Sequence, residues 1–150
     1  MIIGNKNAIT YKAIFPYIKE NKLWLGITNP DEYRLPNGNI TQSVKGLCRW
    51  FTNIEHNRRN QPLDLYKKYS NEDYPKYDNY DAIECGKVCE IPMDYNGVIG
   101  VPITFLDKYC PTQFEIVGLD RYVEDNPKFG HRFTINNKET YARILIRKLF

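Results

Sequence analysis

Basic and aromatic side chains alternate in the stretch RWFTNIEHNRRN, residues 49 to 60. Trp50 and Phe51 supply flat faces on which bases can stack, and the cations around them can contact phosphate groups. Arginine can also bind guanine by a bidentate contact in the major groove. This chemistry suits a nucleic-acid surface, although a solvated hairpin would show the same pattern. The candidate contact residues in and after this stretch are Arg49, His56, Arg58, Arg59, Lys67 and Lys68.

A second polar group follows the apolar opening of the chain. Residues 1 to 4 predict a strand, and Asn5, Lys6 and Asn7 lie where that strand ends. Ligands of open parallel sheets bind outside the carboxyl ends of the strands, so these residues are candidates for a turn near a cofactor or substrate. A plain turn, with Asn7 as the N-cap of the following helix, explains the same residues.

Motifs for catalysis or for metal binding are absent from the sequence. It contains no G-x-G-x-x-G, P-loop, G-x-S-x-G or H-E-x-x-H. The asparagine-proline pairs at 29–30 and 126–127 lack the second proline and the aromatic residue of the amino-methyltransferase motif, so we interpret both as turns. No catalytic residue and no metal site are predicted.

The four cysteines have no zinc-site pattern. Three residues separate Cys85 from Cys89, and no second matching pair accompanies them. We expect all four, Cys48 and Cys110 included, to be buried or half-buried thiols. The apolar start is too short for a signal peptide and no run is long enough to span a membrane, so a cytoplasmic protein with reduced thiols is expected.

Charge is unevenly distributed along the chain. The net charge of +3 comes from 21 basic and 18 acidic residues, which is too mild to identify a nucleic-acid binder. Residues 43 to 68 are locally basic, whereas residues 70 to 95 lean acidic. A basic segment is the footprint expected of phosphate contact, and a solvated surface face is the alternative.

The first 26 residues predict a strand, a helix and a second strand. Residues 1 to 4 and 23 to 26 are apolar, and residues 8 to 20 have helical periodicity that Pro16 should kink or split. Such a unit has parallel strands. A strand that is apolar on both faces usually has neighbours on either side, so the chain begins where the middle of a sheet is expected.

Further strands are predicted later in the chain. Residues 46 to 53 and 63 to 69 alternate in polarity and should pair antiparallel as a projecting basic hairpin around the loop IEHNRRN. FEIVGL (residues 114 to 119) and YARILIRKL (141 to 149) are predicted to join the sheet of residues 1 to 4. A turn is expected at Asn136 and Asn137.

Five stretches together resemble the C-terminal half of the EcoRI-type adenine-specific DNA methyltransferases. The resemblance covers nearly the whole chain, and its long block GVPITFLDKY…QFEIVG is more specific than any short motif. The matching stretches are IIGNKNAITYKAIFPYIKENKLWLG, RWFTNIEH, YPKYDNYDAI, IPMDYNGVIGVPITFLDKYCPTQFEIVGL and YARILIRK.

The resemblance implies an α/β fold: the second half of a Rossmann-like methyltransferase sheet in a single domain of residues 1 to 150. Residues 1 to 26 and 114 to 150 would form the sheet, and residues 27 to 113 would be an inserted, largely β and loop, DNA-recognition region. It also explains the start in mid-sheet, because the family's glycine motif and its asparagine-proline-proline-phenylalanine motif precede this strand.

The implied activity is methylation of adenine N6 in duplex DNA with S-adenosylmethionine. The chain alone is expected to bind no cofactor and to be inactive, with double-stranded DNA and an N-terminal methyltransferase half as partners and no membrane association. A stand-alone DNA-binding module and a non-functional globular remnant are the alternatives. An expressed fragment, a split gene and a degenerate remnant all fit the sequence.

Overall fold

The computed structural model of the protein describes residues 1–40, 43, 45–123 and 131–149. These residues form a mixed α/β architecture with several short sheets and little helix. They divide into two compact units, which we call unit 1 (Met1–Asn57) and unit 2 (Arg58–Phe150). This boundary does not follow the predicted insertion of residues 27 to 113, and the single domain of residues 1 to 150 stays a prediction.

Unit 1 contains a three-stranded sheet of β1 (Ile2–Asn5), β2 (Trp24–Leu25) and β3 (Cys48–Thr52). β3 lies in the middle and pairs antiparallel with both neighbours, so the order is β1-β3-β2. The outer strands therefore run in the same direction but are not neighbours. The prediction that residues 1 to 4 and 23 to 26 form parallel strands of one sheet is confirmed, with a third strand, β3, lying between them.

The predicted first helix is split, as expected from Pro16. A 3₁₀ helix covers Lys6–Thr10 and an α-helix covers Phe15–Lys19, which places the proline in the first turn of the second helix, where a missing N–H is tolerated. The predicted N-cap, Asn7, is wrong. Asn5 caps the 3₁₀ helix instead, because its Oδ1 accepts the Asn7 backbone N–H at 2.8 Å.

Unit 2 contains a four-stranded sheet and a two-stranded hairpin. The four-stranded sheet has the order β4-β5-β9-β6; β4 and β5 are parallel, and β9 is antiparallel to both of its neighbours. The strands predicted from FEIVGL and from YARILIRKL are confirmed as β6 and β9. The strands of unit 2 are β4 (Ile83–Glu84), β5 (Ile99–Pro102), β6 (Phe114–Leu119), β7 (Thr134–Ile135), β8 (Lys138–Glu139) and β9 (Arg143–Lys148).

The prediction that β1, β6 and β9 share one sheet is wrong. β9 pairs with β6 from Phe114↔Lys148 to Leu119↔Ile144 and with β5 on its other side, whereas β1 pairs with β3. The apolar pattern of a strand predicts that it is buried but does not identify its partner. β9 is an inner strand of the four-stranded sheet, and its residues from Arg143 to Ile146 are buried.

The turn predicted at Asn136 and Asn137 is confirmed and joins β7 to β8. Both asparagines have positive φ values, 51° and 66°, as a tight hairpin turn requires. The Asp78 carboxylate accepts both of their backbone N–H groups, at 3.2 and 2.9 Å. These bonds, led by the one from Asn137, lower the pKa of Asp78.

The core of unit 2 contains aromatic rings packed against the sheet. Phe105 and Phe114 are fully buried and meet edge to face at 5.4 Å between ring centroids. Phe133 is also fully buried, and its ring centroid lies 4.7 Å from that of Tyr77 and 4.8 Å from that of Tyr80. Within the described ranges, no helix has both the length and the apolar character that a membrane crossing requires.

Candidate nucleic-acid interface

The basic hairpin predicted from residues 46 to 53 and 63 to 69 does not form. The first segment contributes β3, whose two edges are taken by β1 and β2. The second segment belongs to unit 2 and forms no strand. The prediction is wrong because the backbone of each segment is hydrogen-bonded to other parts of the chain.

Two of the predicted contact residues are engaged within unit 1. Arg49 lies on β3, and only 9% of its surface is exposed. The ring of His56 is half-buried and its Nε2 lies 2.8 Å from the backbone oxygen of Leu25. Since a carbonyl only accepts, Nε2 carries the proton and the ring is held against β2. Neither side chain projects as a free cation from unit 1.

The polar turn of Asn5, Lys6 and Asn7 serves the local backbone. The Asn5 side chain is used as a helix cap, and the backbone oxygen of Asn7 accepts the hydroxyl of Thr10 at 2.8 Å. The backbone N–H of Lys6 donates to Leu47 at 2.8 Å. Some of the polar groups that would face a cofactor are thus used in hydrogen bonds of the turn itself. A role of these residues near a cofactor or substrate stays a prediction.

Arg58 and Arg59 are neighbours in the sequence but have different surroundings. Both belong to the 3₁₀ helix Asn57–Asn60. Arg59 is buried, with 6% of its surface exposed. Burial raises the pKa of Tyr109, and the nearby positive charge of Arg59 opposes that rise. Arg59 is therefore a packing residue of unit 2, whereas Arg58 is half-buried and faces a cavity.

The cavity beside Arg58 is the strongest candidate for a binding site among the described residues. Its volume is about 350 Å³, and two cations and one carboxylate line it. Lys108 reaches it from the chain after the 3₁₀ helix Ile103–Asp107, fifty residues beyond Arg58 in the sequence. This arrangement can bind an anion such as a phosphate group. The lining residues are Arg58, Gln61, Pro62, Leu63, Asp107 and Lys108.

A second cavity shares Leu63 with the first and has a volume of about 300 Å³. Gln113 lies in its wall and makes two hydrogen bonds to the Leu63 backbone: Oε1 accepts the N–H at 2.7 Å, and Nε2 donates to the oxygen at 2.8 Å. The Lys148 ammonium donates to the backbone oxygen of Met93. The lining residues are Leu63, Leu65, Met93, Gln113 and Lys148.

The segment of residues 63 to 69 is extended over unit 2. The backbone oxygen of Lys67 accepts the Met93 N–H at 2.8 Å, and the Tyr69 N–H donates to Asp94 Oδ1 at 2.7 Å. These bonds substitute for the missing partner strand. Asp64, Tyr66 and Lys68 are exposed and the residues between them are half-buried, so the predicted alternation is confirmed even though the predicted partner is not.

Lys67 and Lys68 therefore face opposite ways. The Lys67 ammonium lies 3.8 Å from a carboxylate oxygen of Glu90 and 6.0 Å from the ring centroid of Tyr74, so its charge is balanced within unit 2. Lys68 is exposed. Of the six predicted contact residues, Arg58 and Lys68 are those whose described surroundings leave the cation available to an outside anion.

The sequence analysis missed Gln61 and Lys108. Gln61 directly follows the stretch of residues 49 to 60, and its neutral amide does not belong to the basic and aromatic pattern on which that prediction depends. Lys108 lay in the stretch ITFLDKY, outside the locally basic region of residues 43 to 68. A signal that could have found it is the family block GVPITFLDKY, whose helix ends beside a lysine.

A buried ionic cluster stabilises the sheet of unit 2. Arg143 Nε donates to Glu84 Oε1 at 2.7 Å, and the Tyr77 hydroxyl donates to the same oxygen at 3.3 Å. Asp120 is fully buried, and this burial raises its pKa to about 6, while the backbone N–H of Arg121 donates to it at 2.8 Å. Every one of these groups meets another polar group of the unit, as buried charge requires.

The cysteines show one departure from expectation. All four are free thiols; Cys85 and Cys110 are buried and Cys48 is half-buried, as predicted, but Cys89 is exposed. It lies at the centre of the 3₁₀ helix Val88–Glu90. In the part of the chain that the structure describes, no group of three or more histidine, cysteine, aspartate or glutamate side chains could hold a metal ion.

Comparison with known proteins identifies relatives over almost the whole chain. The family model described as adenine-specific methyltransferase EcoRI matches residues 1–149. The Type II methyltransferase M.EcoRI of Escherichia coli is 43% identical, and the match covers 98% of this chain and 49% of that protein. No solved structure matches significantly.

Two relatives from mycoplasmas show the same partial coverage. The Type II methyltransferase M.MgeORF184P of Mycoplasma genitalium is 35% identical, and M.MpnI of Mycoplasma pneumoniae is 31% identical. Each match covers 99% of this chain and 56% of the relative. The chain thus spans about half the length of the curated relatives it matches.

Proposed function

Because the chain belongs to the EcoRI-type adenine-specific methyltransferase family, we propose that it is the C-terminal portion of a DNA adenine N6-methyltransferase of a restriction-modification system. The observation that carries the proposal is the match over residues 1–149, combined with coverage of only half of each relative. In this proposal the chain contributes DNA recognition and completes the sheet of the catalytic domain, and it acts in the cytoplasm.

The DNA-recognition role is assigned to the first cavity described above, which is lined by Arg58 and Lys108. Arg58 and Lys108 bind backbone phosphates there, and the amide of Gln61 lies beside them for polar contacts. Exposed Lys68 extends the basic surface along the segment of residues 63 to 69. Phosphate contacts release counterions, so affinity should fall steeply as salt rises.

Contacts of this kind serve the chemistry that the family performs. Adenine N6 is a weak nucleophile, because its lone pair is delocalised into the ring. Its methylation requires the base to leave the duplex, which costs a few kcal/mol that contacts to the surrounding DNA must offset. The chain's part in the reaction is therefore to hold the duplex while other residues act on the flipped base.

The cofactor of the complete enzyme is S-adenosylmethionine, which supplies the methyl group. The residues present here do not fit it: the side chain of Asn5 is used in capping, and neither of the two cavities described above is lined by the turn of Asn5, Lys6 and Asn7. The sequence also lacks the glycine motif and the asparagine-proline-proline-phenylalanine motif. Cofactor binding and methyl transfer thus belong to a methyltransferase portion outside this chain, which is its partner.

The finer fold assignment belongs to the same proposal. In the complete enzyme the chain contributes strands to a Rossmann-like methyltransferase fold, with recognition elements inserted in residues 27 to 113. The mixed α/β architecture supports it.

The test is a titration of the full chain with duplex DNA at two salt concentrations. The double variant Arg58→Ala, Lys108→Ala should bind all sequences more weakly and lower the salt slope by about 1 per lost phosphate contact. Lys87→Ala removes an exposed cation of unit 2 outside the cavity and is the matched control. Equal DNA affinity of wild type and double variant at low salt, with both folded, would reject the cavity as the contact site.

The same titration separates the alternatives. A remnant without a nucleic-acid role shows no salt-dependent DNA binding. Labelled methyl groups on DNA, or micromolar S-adenosylmethionine affinity of the isolated chain, would reject the assignment of catalysis to a separate portion.

A further inference from the structure

Two stretches of the chain line the first cavity, and each contributes one cation and one side chain that accepts hydrogen bonds. The earlier stretch carries Arg58 and Gln61. The later one carries Asp107 and Lys108, where the 3₁₀ helix Ile103–Asp107 ends. A phosphate group is bound by cations and hydrogen-bond donors, so the two acceptors indicate that the cavity also meets donor groups of its ligand.

The Asp107 carboxylate limits what the cavity can bind. Its negative charge repels phosphate, and an ionised carboxylate only accepts hydrogen bonds. Asp107 is half-buried and also interacts with another group of the protein. Its two oxygens have about four acceptor sites, so an internal partner leaves sites for a ligand. In the major groove of duplex DNA, the donors that such a carboxylate can meet are the exocyclic amino groups of adenine and cytosine.

Gln61 has the chemistry that binds adenine. It is exposed, and its amide donates and accepts at once, which matches the N7 acceptor and N6 donor that adenine presents in the major groove. The backbone is held on both sides: the Gln61 N–H donates to the Arg58 oxygen at 3.2 Å, and the Gln113 side chain is bonded to Leu63. Pro62 disfavours a helical backbone at Gln61. A backbone that is already fixed loses less entropy on binding.

Two apolar side chains extend the match from adenine to an A·T pair. Pro62 and Leu63 line the cavity directly after Gln61 in the chain. Thymine presents its C5-methyl group in the major groove, where apolar side chains contact it. A G·C pair has no such methyl group, and guanine presents an acceptor where adenine presents the N6 donor.

We propose that the first cavity reads an A·T base pair from the major groove and so helps to select the target sequence. This inference rests on the proposed function and adds which residues of the cavity are specific for bases. Gln61 bonds to N6 and N7 of the adenine, and Pro62 and Leu63 contact the thymine methyl group. The adenine read here stays stacked in the duplex, so it differs from the base that is flipped out.

The charged residues of the cavity have separate parts. Asp107 accepts the amino group of an adenine or cytosine next to the A·T pair. Arg58 and Lys108 bind phosphates, which every sequence carries, so they supply affinity without base preference. Loss of Gln61 or Asp107 should therefore change selectivity, whereas loss of Lys108 should change affinity alone.

The test uses a pool of DNA duplexes with a randomised central segment, from which the full chain binds a fraction that is then sequenced. We expect wild type to enrich adenine at one position. Gln61→Ala should lower that enrichment at least about fivefold, because a bidentate pair is lost. Asp107→Asn should lower the enrichment of adenine or cytosine at the adjacent position. Lys108→Ala should weaken the binding of all duplexes and keep both preferences.

Matched controls change the same kinds of side chain outside the cavity lining. Asn60→Ala removes an exposed amide next to Gln61, and Asp64→Asn neutralises an exposed carboxylate next to Leu63. Both variants should keep the wild-type preferences. Circular dichroism verifies that every variant is folded.

Altered bases test the contacts without changing the protein. In a selected duplex, 7-deazaadenine removes the N7 acceptor, and uracil in place of thymine removes the methyl group. Wild type should bind either altered duplex at least about threefold more weakly. Gln61→Ala should bind 7-deazaadenine and adenine duplexes equally, because the side chain that contacts N7 is gone.

Two results overturn the inference. They are DNA binding by wild type without any base preference, and an unchanged preference in folded Gln61→Ala or Asp107→Asn. Both leave the proposed recognition role in place, because salt-dependent DNA binding persists in them. Absence of DNA binding by wild type is a different result, which rejects the recognition role itself and this inference with it.

Discussion

The side-chain amide of Gln113 pairs with the backbone of Leu63 in the way that a neighbouring strand would. Its oxygen accepts the Leu63 N–H at 2.7 Å and its nitrogen donates to the Leu63 oxygen at 2.8 Å. Leu63 lines both of the cavities described above, and Arg58 and Gln61 lie just before it in the chain. One glutamine thus fixes the segment that leads out of the candidate DNA-binding cavity.

Replacing Gln113 by alanine should leave the Leu63 N–H and oxygen unpaired. We expect a loss of about 1–3 kcal/mol in the free energy of unfolding, measured in urea, and faster exchange of the Leu63 amide. Gln61→Ala is the control, because its side chain lines the first cavity but has no described role in holding the backbone. Equal stability of the two variants would show that the Gln113 bonds contribute little.

Gly100 should not tolerate a side chain. A Cβ at this position would overlap the hydroxyl of Tyr77, whose ring is buried against Phe133 at 4.7 Å. Gly100→Ala should therefore lower the free energy of unfolding by about 1–3 kcal/mol or more. Gly86→Ala is the matched control, since nothing lies within 4 Å of its added Cβ, and thermal unfolding should show it within about 0.5 kcal/mol of wild type. A tolerated alanine at position 100 would contradict the packing described for Tyr77.

The buried ion pair of Arg143 and Glu84 should be far more sensitive than the exposed pair of Arg147 and Glu115. The first pair has 11% and 13% side-chain exposure and the second 47% and 46%. Arg143→Leu leaves a buried carboxylate without its cation and should cost about 3–5 kcal/mol of stability in urea unfolding. Arg147→Leu should cost about 0–1 kcal/mol. Similar losses in the two variants would argue against a buried pair.

Asp120 should make unit 2 less stable as pH rises. Its pKa is raised to about 6 by burial, so between about pH 4 and pH 6 the folded state binds more protons than the unfolded state. The free energy of unfolding then falls with rising pH in this window, by up to about 1.4 kcal/mol per unit of pKa difference. The free energy of unfolding in urea is measured at each pH for wild type and for Asp120→Asn. The difference between the two values isolates the contribution of Asp120. A flat difference between pH 4 and 7 would contradict it.

The sequence by itself determined the family and many local elements. The block GVPITFLDKY…QFEIVG carried the resemblance that the family match over residues 1–149 confirmed. β6, β9 and the turn at Asn136 and Asn137 could be predicted because each depends on residues adjacent in the chain. The split of the first helix followed from the missing N–H of Pro16 for the same reason.

The tertiary structure decided which elements are neighbours. β1 and β6 have similar apolar patterns yet lie in different sheets, because alternation determines which side chains are buried and leaves the partner strand open. In the folded protein Lys108 lines the same cavity as Arg58, whereas Arg59 is buried, although the sequence places the two arginines together. Such contacts join distant residues, and they are selected by the packing of the whole unit rather than by local preference.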